Sequence, residues 1–440
     1  MSKACDSVVV LLVLLCAHIA TLFASLTYSV DSFPNVVNYE LSGTIATTVA
    51  MSFFALVSVV FAVANFSLGY LLGFYFFTMI LGYLWFERFS ILSYDHRLAV
   101  VSILLSGMAF LLPALFVRSP IRQIMQWRVP HLDMLIYGVL LLAVALLAAG
   151  ATYHFRLVGL SEMYRFREQI QLPLVIRYGV GIAAYALLPF AFALCTMSKR
   201  YLRAAAALLL IALFYPVTLT RLTLLGPFWL VFIAALSMIV ASRAAVILSL
   251  LLPMSAGIAS LVLVRSGMIP ASAGLMYFGA INSRMIAMPS IALEVYNNYF
   301  ATHPLTHFCQ INLLKIVISC PYNEQLSVLM KVYDLGAFNA SLFATEGIAS
   351  VGPWLAPLSA LGCGFIIALA NRLSAGLPAR FILVSGGMLP LVLLNVPLST
   401  NLLTNGVAVL FLLWYLTPRS IFEKDNHSER QLLQGSDAPS

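Results

Sequence analysis

Residues 44–86 read TIATTVAMSFFALVSVVFAVANFSLGYLLGFYFFTMILGYLWF, forty-three positions without one Asp, Glu, Lys or Arg. A helix needs about 20 apolar residues to cross a hydrocarbon core of ~30 Å. The stretch is therefore long enough for two crossings, and Asn65-Phe66-Ser67 is the polar break at which it divides. The rest of the 440-residue chain has the same character, with 62% hydrophobic and 9% charged residues. A soluble domain carries charge on about a quarter of its residues. This chain has too little to cover its apolar bulk, so lipid must be its solvent. The net charge of +8 comes from cations scattered singly between apolar runs. That pattern is not a basic patch, and no nucleic-acid partner is expected.

Working outward, uncharged runs of span length occur at 7–28, 44–64, 67–86, 98–117, 134–153, 174–196, 201–220, 222–241, 244–264, 348–371, 381–397 and 399–417. The residue-by-residue alternation of a membrane barrel is absent, so the expected fold is an all-α polytopic bundle of about twelve transmembrane helices. The first run follows Lys3 but is longer than a signal-peptide core and lacks a small-x-small cleavage site, and is expected to remain as a span. With a cytoplasmic N-terminus, thirteen of the 24 cations fall on the inner side, in compact turns such as Ser198-Lys-Arg-Tyr-Leu-Arg203. Loops of this kind set topology. An even number of spans then leaves both termini cytoplasmic. Residues 1–421 form one membrane domain, and the polar residues 422–440 a disordered tail.

One sizeable segment does not span, about 266–345, on the outer face between the ninth and tenth spans. Met268–Met288 is too apolar for a soluble domain, and Pro289 suits the first turn of a new helix. Leu293, Tyr296 and Phe300 then share one face while Glu294 and Asn298 share another. The expectation is a set of helices lying on, or dipping into, the outer leaflet.

Cys5, Cys16, Cys195 and Cys363 lack CxxC spacing, and no Walker loop, dinucleotide fingerprint or GxSxG is present. Neither a metal nor a cofactor is expected. Cys309 and Cys320 share the outer loop, an oxidising compartment in this orientation, and could be bridged. His303 and His307 are spaced like a metal pair, but Pro304 between them opposes a continuous helix. His303 is a candidate general base, since its ordinary pKa lies near neutrality. Glu294, Glu324, Asp334 and Glu346 are the carboxylate alternatives. Glu346 stands out because Glu346-Gly347 enters a span: a helix N-terminus favours a carboxylate, and glycine permits close approach.

Among the outward arginines, Arg88, Arg97 and Arg156 read as snorkelling to headgroups. Arg165 and Arg167 alternate with Tyr164 and Phe166, Arg177 lies inside the start of an apolar helix, and Arg221 sits at the tip of a tight hairpin. Guanidinium near hydrocarbon is costly unless it is paired or faces water. Too few outer carboxylates lie nearby to pair these four. A phosphate-bearing lipid is the natural partner, because Arg grips phosphate oxygens bidentately.

At Ser283-Arg-Met-Ile-Ala-Met-Pro289 running on to Tyr296-Asn-Asn-Tyr-Phe-Ala-Thr-His-Pro304, and at Asn339 through Glu346-Gly347 to Gly352, the chain resembles the bacterial Wzy-type oligosaccharide repeat-unit polymerases of O-antigen and exopolysaccharide assembly. The resemblance implies a multi-pass inner-membrane glycosyltransferase acting at the periplasmic face without metal. Its donor is a glycan on undecaprenyl diphosphate, its acceptor a hydroxyl of a lipid-linked repeat unit, and a chain-length regulator a further partner. By the same resemblance Arg284 and Arg221, with Arg177 behind them, clamp the diphosphate, and Glu346 or His303 activates the acceptor. The loop holding Arg165 and Arg167 is shorter than in many such polymerases, which leaves the role of that pair open. Three other readings share the layout. One is an O-antigen-ligase-like enzyme. Another is a transferase using polyprenyl monophosphate sugars, with Asp31 or Glu40 as its carboxylate. The third is a lipid-linked oligosaccharide flippase.

Overall fold

The computed structural model describes residues 7–39, 48, 51–52, 54–159, 162–167, 170–311, 314, 317–324, 326–335 and 342–422. Glu40, the Tyr164 side chain and the tail from 423 lie outside the described residues. Among those described the protein is helical throughout, with a single isolated β-bridge, Val37 to Ser90, and no strand.

Nine helices among the described residues are long and apolar enough to cross a membrane. We number the first eight α1 Val8–Ser32, α2 Leu68–Glu87, α3 His96–Phe116, α4 Val129–Tyr153, α5 Leu174–Met197, α6 Tyr201–Thr218, α7 Arg221–Ile239 and α8 Ser242–Arg265. A less apolar helix, α9, covers residues 271–302, and the ninth long apolar helix, α10, is Thr345–Leu373. The bent pair Leu398–Thr404 and Val407–Leu416 makes ten if it counts as one span.

The sequence expectation was about twelve. The candidate at 44–64 lies partly outside the described residues. The run 381–397 is broken at Gly386-Gly387 into the short helices Ala379–Ser385 and Leu389–Leu393. There the Trp229 indole donates to the Gly387 carbonyl at 2.9 Å, taking up a group that the interrupted helix leaves open. The division of the 44–86 run holds: Ser67 accepts from the Tyr70 backbone at 3.1 Å and so caps α2.

The described residues fall into two compact units. The first lies within Met1–Val117, Ala235–Leu369 and Leu389–Asn401, the second within Arg118–Ala234, Ala370–Met388 and Leu402–Ser440.

In the first unit α2 is central, with nearly every side chain from Leu68 to Phe86 buried. α1 packs on α8, α3 on α2, and α9 on α2, α1 and α8. α9 corrects an expectation. It does not lie amphipathically on the leaflet, because Pro289 through Asn297 are all buried. Pro289 does stand in the first turn of an α-helix, Met288–Thr302, but that helix follows directly on the π-helical stretch Gly279–Ala287 instead of beginning after a loop. Proline lacks an N–H and crowds the preceding turn, and a widened turn relieves both problems. Missing side chains on neighbouring helices admit α9: a Cβ on Gly82 would stand 2.1 Å from Ser290 Oγ, and one on Gly257 would stand 1.9 Å from Asn282 Oδ1.

The second unit packs α4, α5, α6 and Ala379–Ser385. α4 buries few of its side chains, as a lipid-facing helix should. α5 carries a π turn at Ala183–Leu187. Beside it Gly181 faces the Thr404 carbonyl, which a Cβ would approach to 2.7 Å, and Gly406 turns the chain with φ +74°.

Candidate functional site

In the first unit, the candidate side chains lie along α9, just past its end, and in the first turn of α10. The 29 residues of α10 are two helices joined at Gly352, whose φ of +76° and ψ of 171° belong to glycine. The short leading helix folds back onto the longer one, so closely that a Cβ on Gly347 would meet Ala356 Cα and O at 3.1 Å. The chain after α9 clasps it. Thr306 N donates to Ala349 O at 2.8 Å, His307 N to Ser350 O at 3.1 Å, and the Thr306 and Ser350 hydroxyls meet at 3.1 Å. This fold-back presents Glu346, half-buried, to the Ser399 hydroxyl, which donates to Oε1. Glu346 thus stands in the first turn of α10, as the sequence suggests, and has a side-chain partner besides. Tyr296 on α9 is completely buried within electrostatic reach of it: burial, and then the Glu346 carboxylate, push the Tyr296 phenol well above its ordinary range.

Arg284 lies half-buried in the π stretch of the same α9. Helical rise puts it on the order of 18 Å along the axis from Tyr296 and about 28 Å from His303. His303 ends α9 in extended conformation, as Pro304 requires. It is exposed and stacked on Tyr299 with ring centroids 3.9 Å apart, its Nδ1 donating to the Tyr299 carbonyl at 2.9 Å. Arg284 therefore lies near the middle of α9 and His303 just past its end, too far apart to act on one atom. Beyond His303, Cys309 and Cys320 form a disulfide with Cα atoms 5.2 Å apart. Tyr322, two residues past that bridge, donates to the Pro304 carbonyl at 2.6 Å, tying the loop back to the end of α9.

The second unit holds the other four candidate arginines. Arg165 and Arg167 are exposed on the short helix Met163–Arg167. This helix is anchored by Met163 against Tyr215 and Leu219, with Phe166 packed alongside. The Tyr215 hydroxyl donates to the Val158 carbonyl at 2.6 Å. Arg156 is exposed and covers the Phe166 ring at 3.7 Å. Arg177 is exposed in the first turn of α5, 5.7 Å above Tyr178. Arg221 opens α7, half-buried, after a left-handed turn at Leu219 with φ 45°. Thr220 and Thr223 hydroxyls meet beside it at 2.8 Å, and Thr218 and Thr220 at 3.1 Å. Thr220 lies within hydrogen-bonding reach of the Tyr185 hydroxyl, and Arg167 acts on it electrostatically. Guanidinium and hydroxyl donors, with Glu162 the carboxylate nearest in the chain among the described residues, make a surface suited to phosphate oxygens.

The sequence marks Glu346 and sets Tyr296 on an apolar face, but it pairs Glu346 neither with Tyr296 on another helix nor with Ser399, 53 residues later. No local signal marks such pairings. Glu294 is in sequence one of several outer-loop carboxylates, and nothing local points to its partner Tyr94, 200 residues away. Among the described residues no three His, Cys, Asp or Glu side chains gather at metal-ligand spacing. No protein-family model, curated protein or solved structure matches this chain.

Proposed function

We propose that this membrane protein is a glycosyltransferase that polymerises undecaprenyl-diphosphate-linked oligosaccharide repeat units at the periplasmic face of a bacterial inner membrane, without a metal. The observation that supports it most is Glu346. It is a carboxylate held by one hydroxyl at the broken start of an apolar helix and still partly open, in the unit that also carries Arg284. Ionisable groups in such a setting are expensive and are retained for function. In this reading Glu346 takes the proton of the acceptor hydroxyl, whose oxygen attacks the anomeric carbon. The bond to the diphosphate breaks, its electron pair leaves with the phosphate, and Arg284 balances the charge that develops. A base on one side and a leaving group on the other gives inversion at the sugar. The arginines of the second unit are read as donors to further phosphate or headgroup oxygens. Chain-length control would come from a separate protein.

The test is polymer formation by the full-length protein in proteoliposomes supplied with a lipid-linked repeat unit. Glu346→Gln, inserted at wild-type level, should lower ladder formation by about 10²-fold or more, the usual worth of a general base. Arg284→Ala should lower it too, and the exposed His303→Ala should leave it. A wild-type ladder from Glu346→Gln removes Glu346 from the chemistry. If the unmodified protein links no sugars but moves the lipid-linked unit across the bilayer, the flippase reading replaces this one.

A further inference from the structure

The reaction above leaves unused the most deeply sealed carboxyl group among the described residues. Glu294 has no solvent exposure. Its Oε2 accepts from the Tyr94 hydroxyl at 2.5 Å, and its Oε1 is buried without a donor in hydrogen-bonding geometry. Each element packed around it contributes a polar or titratable group. α2 brings Tyr83, whose hydroxyl stands 3.5 Å from that of Tyr94, and Glu87 at its end. The loop between α2 and α3 brings Ser90, within reach of the same carboxyl, and Tyr94 itself. α3 begins with His96, whose ring lies 4.1 Å from that of Tyr94. Arg88 acts on Glu87. Among the described residues no cation lies within ion-pair distance of Glu294.

His96 shows how this cluster meets water. Its Nε2 donates to the Leu92 carbonyl at 3.0 Å, which leaves Nδ1 facing Glu87 Oε1 at 3.4 Å. The His96 side chain is 32% exposed and that of Glu87 13%, so the cluster reaches the surface at this pair.

An ionised carboxylate this deeply buried, with hydroxyls and another carboxylate around it and no cation, is far from its preferred environment. A protonated one is not, because it is neutral and remains an acceptor for Tyr94. We propose that Glu294 is a reversible proton-binding site of this protein, with Tyr94 as the group that gates it and His96–Glu87 as its solvent-facing partner. Unloading breaks the Glu294 O–H bond, bulk hydroxide takes the proton to give water, and Tyr94 keeps its own hydrogen to donate to the new carboxylate. The geometry agrees with the electrostatics: burial pushes the Glu294 carboxyl up to about 8, against the weaker opposing pull of the Tyr94 and Ser90 hydroxyls. The site lies on the helix that carries Arg284, and its existence does not depend on the glycosyl transfer proposed above.

Infrared difference spectroscopy of the full-length protein in lipid nanodiscs, titrated with acid and base, tests this directly. The carbonyl stretch of a protonated carboxylic acid should persist to near neutrality and vanish with a midpoint near pH 8. Glu294→Gln should delete that component. Tyr94→Phe, which removes a bond that favours the charged form, should move the midpoint upward. Absence of the component in the wild type overturns the proposal, as does its loss in Glu346→Gln with retention in Glu294→Gln. If Glu294→Gln fails to insert, the direction of the Tyr94→Phe shift decides, and an unmoved midpoint counts against the site.

Discussion

Substituting Gly257 by alanine tests how α8 and α9 are held together. The new Cβ would lie 1.9 Å from Asn282 Oδ1 and 2.7 Å from its Cγ, far inside van der Waals contact. The amide cannot retreat freely. Its Nδ2 donates to Ser25 Oγ at 2.9 Å and to the Met254 carbonyl at 3.0 Å, both deep in the bundle. Giving up two such bonds costs about 1–3 kcal/mol, and a stranded buried amide adds about as much again. The better helix propensity of alanine returns up to ~1 kcal/mol. The expected loss is about 2–4 kcal/mol of unfolding free energy, measured by reversible denaturation in mixed micelles.

The partner substitution makes the argument sharper. Asn282→Ala removes the wall that the Cβ strikes, so in that background Gly257→Ala should be close to neutral. The cycle should then show a coupling of roughly 2 kcal/mol or more, well above the few tenths expected of independent sites. Equal costs in both backgrounds, or a neutral Gly257→Ala in the wild type, would refute the close approach on which this reasoning rests.

Stability should also respond to pH through Glu294. The native state keeps a proton that an unfolded chain releases in the ordinary carboxylate range. The native advantage is therefore complete in acid, and it is lost as pH rises through about 8. The loss, absent from Glu294→Gln, should approach roughly 5 kcal/mol in denaturation curves taken across that range. Gly352→Ala places a side chain where φ is +76°, at a cost of about 1–3 kcal/mol, and by straightening α10 should carry Glu346 away from Ser399. Lowered thermal stability together with lost polymer formation is the expected readout, and full activity would count against the fold-back as a catalytic feature. Cys309→Ser with Cys320→Ser opens a loop of sequence separation 11, removing about 3 kcal/mol of constraint on that loop. Limited proteolysis should then cut between α9 and α10 sooner while the spans stay intact.

The membrane character and the all-helical class were legible because they follow from sums. A chain with 9% charged residues has one solvent available to it, and in that solvent the backbone must bond to itself locally. Punctuation was legible as well. Ser67 caps α2, and Pro304 follows the residue at which α9 stops. The role of α9 was not. Its Leu293, Tyr296 and Phe300 stripe reads as a surface helix, because the polar residues opposite it look like a wet face. In the structure that face is turned into the bundle, where Glu294 meets Tyr94 and Asn297 bonds back to its own helix at Leu293. Amphipathic spacing says which residues share a side, but it does not say whether protein or water covers that side.

The candidate site divides in the same way. Arg284, Glu346 and the second-unit arginines were visible one at a time, since each is a costly residue in an apolar neighbourhood. Which of them belong together was not visible. Arg284, His303 and Glu346 fall in one unit, and Arg165, Arg167, Arg177 and Arg221 in the other. Only the packed chain brings Ser399 to Glu346 and Tyr94 to Glu294. Read alone, the sequence determined the solvent, the helices and the supply of charged groups, because transfer energies and local propensities act residue by residue. The tertiary structure decided which of those groups are sealed and which side chains they meet, because burial and hydrogen bonding depend on contacts between residues far apart in the chain.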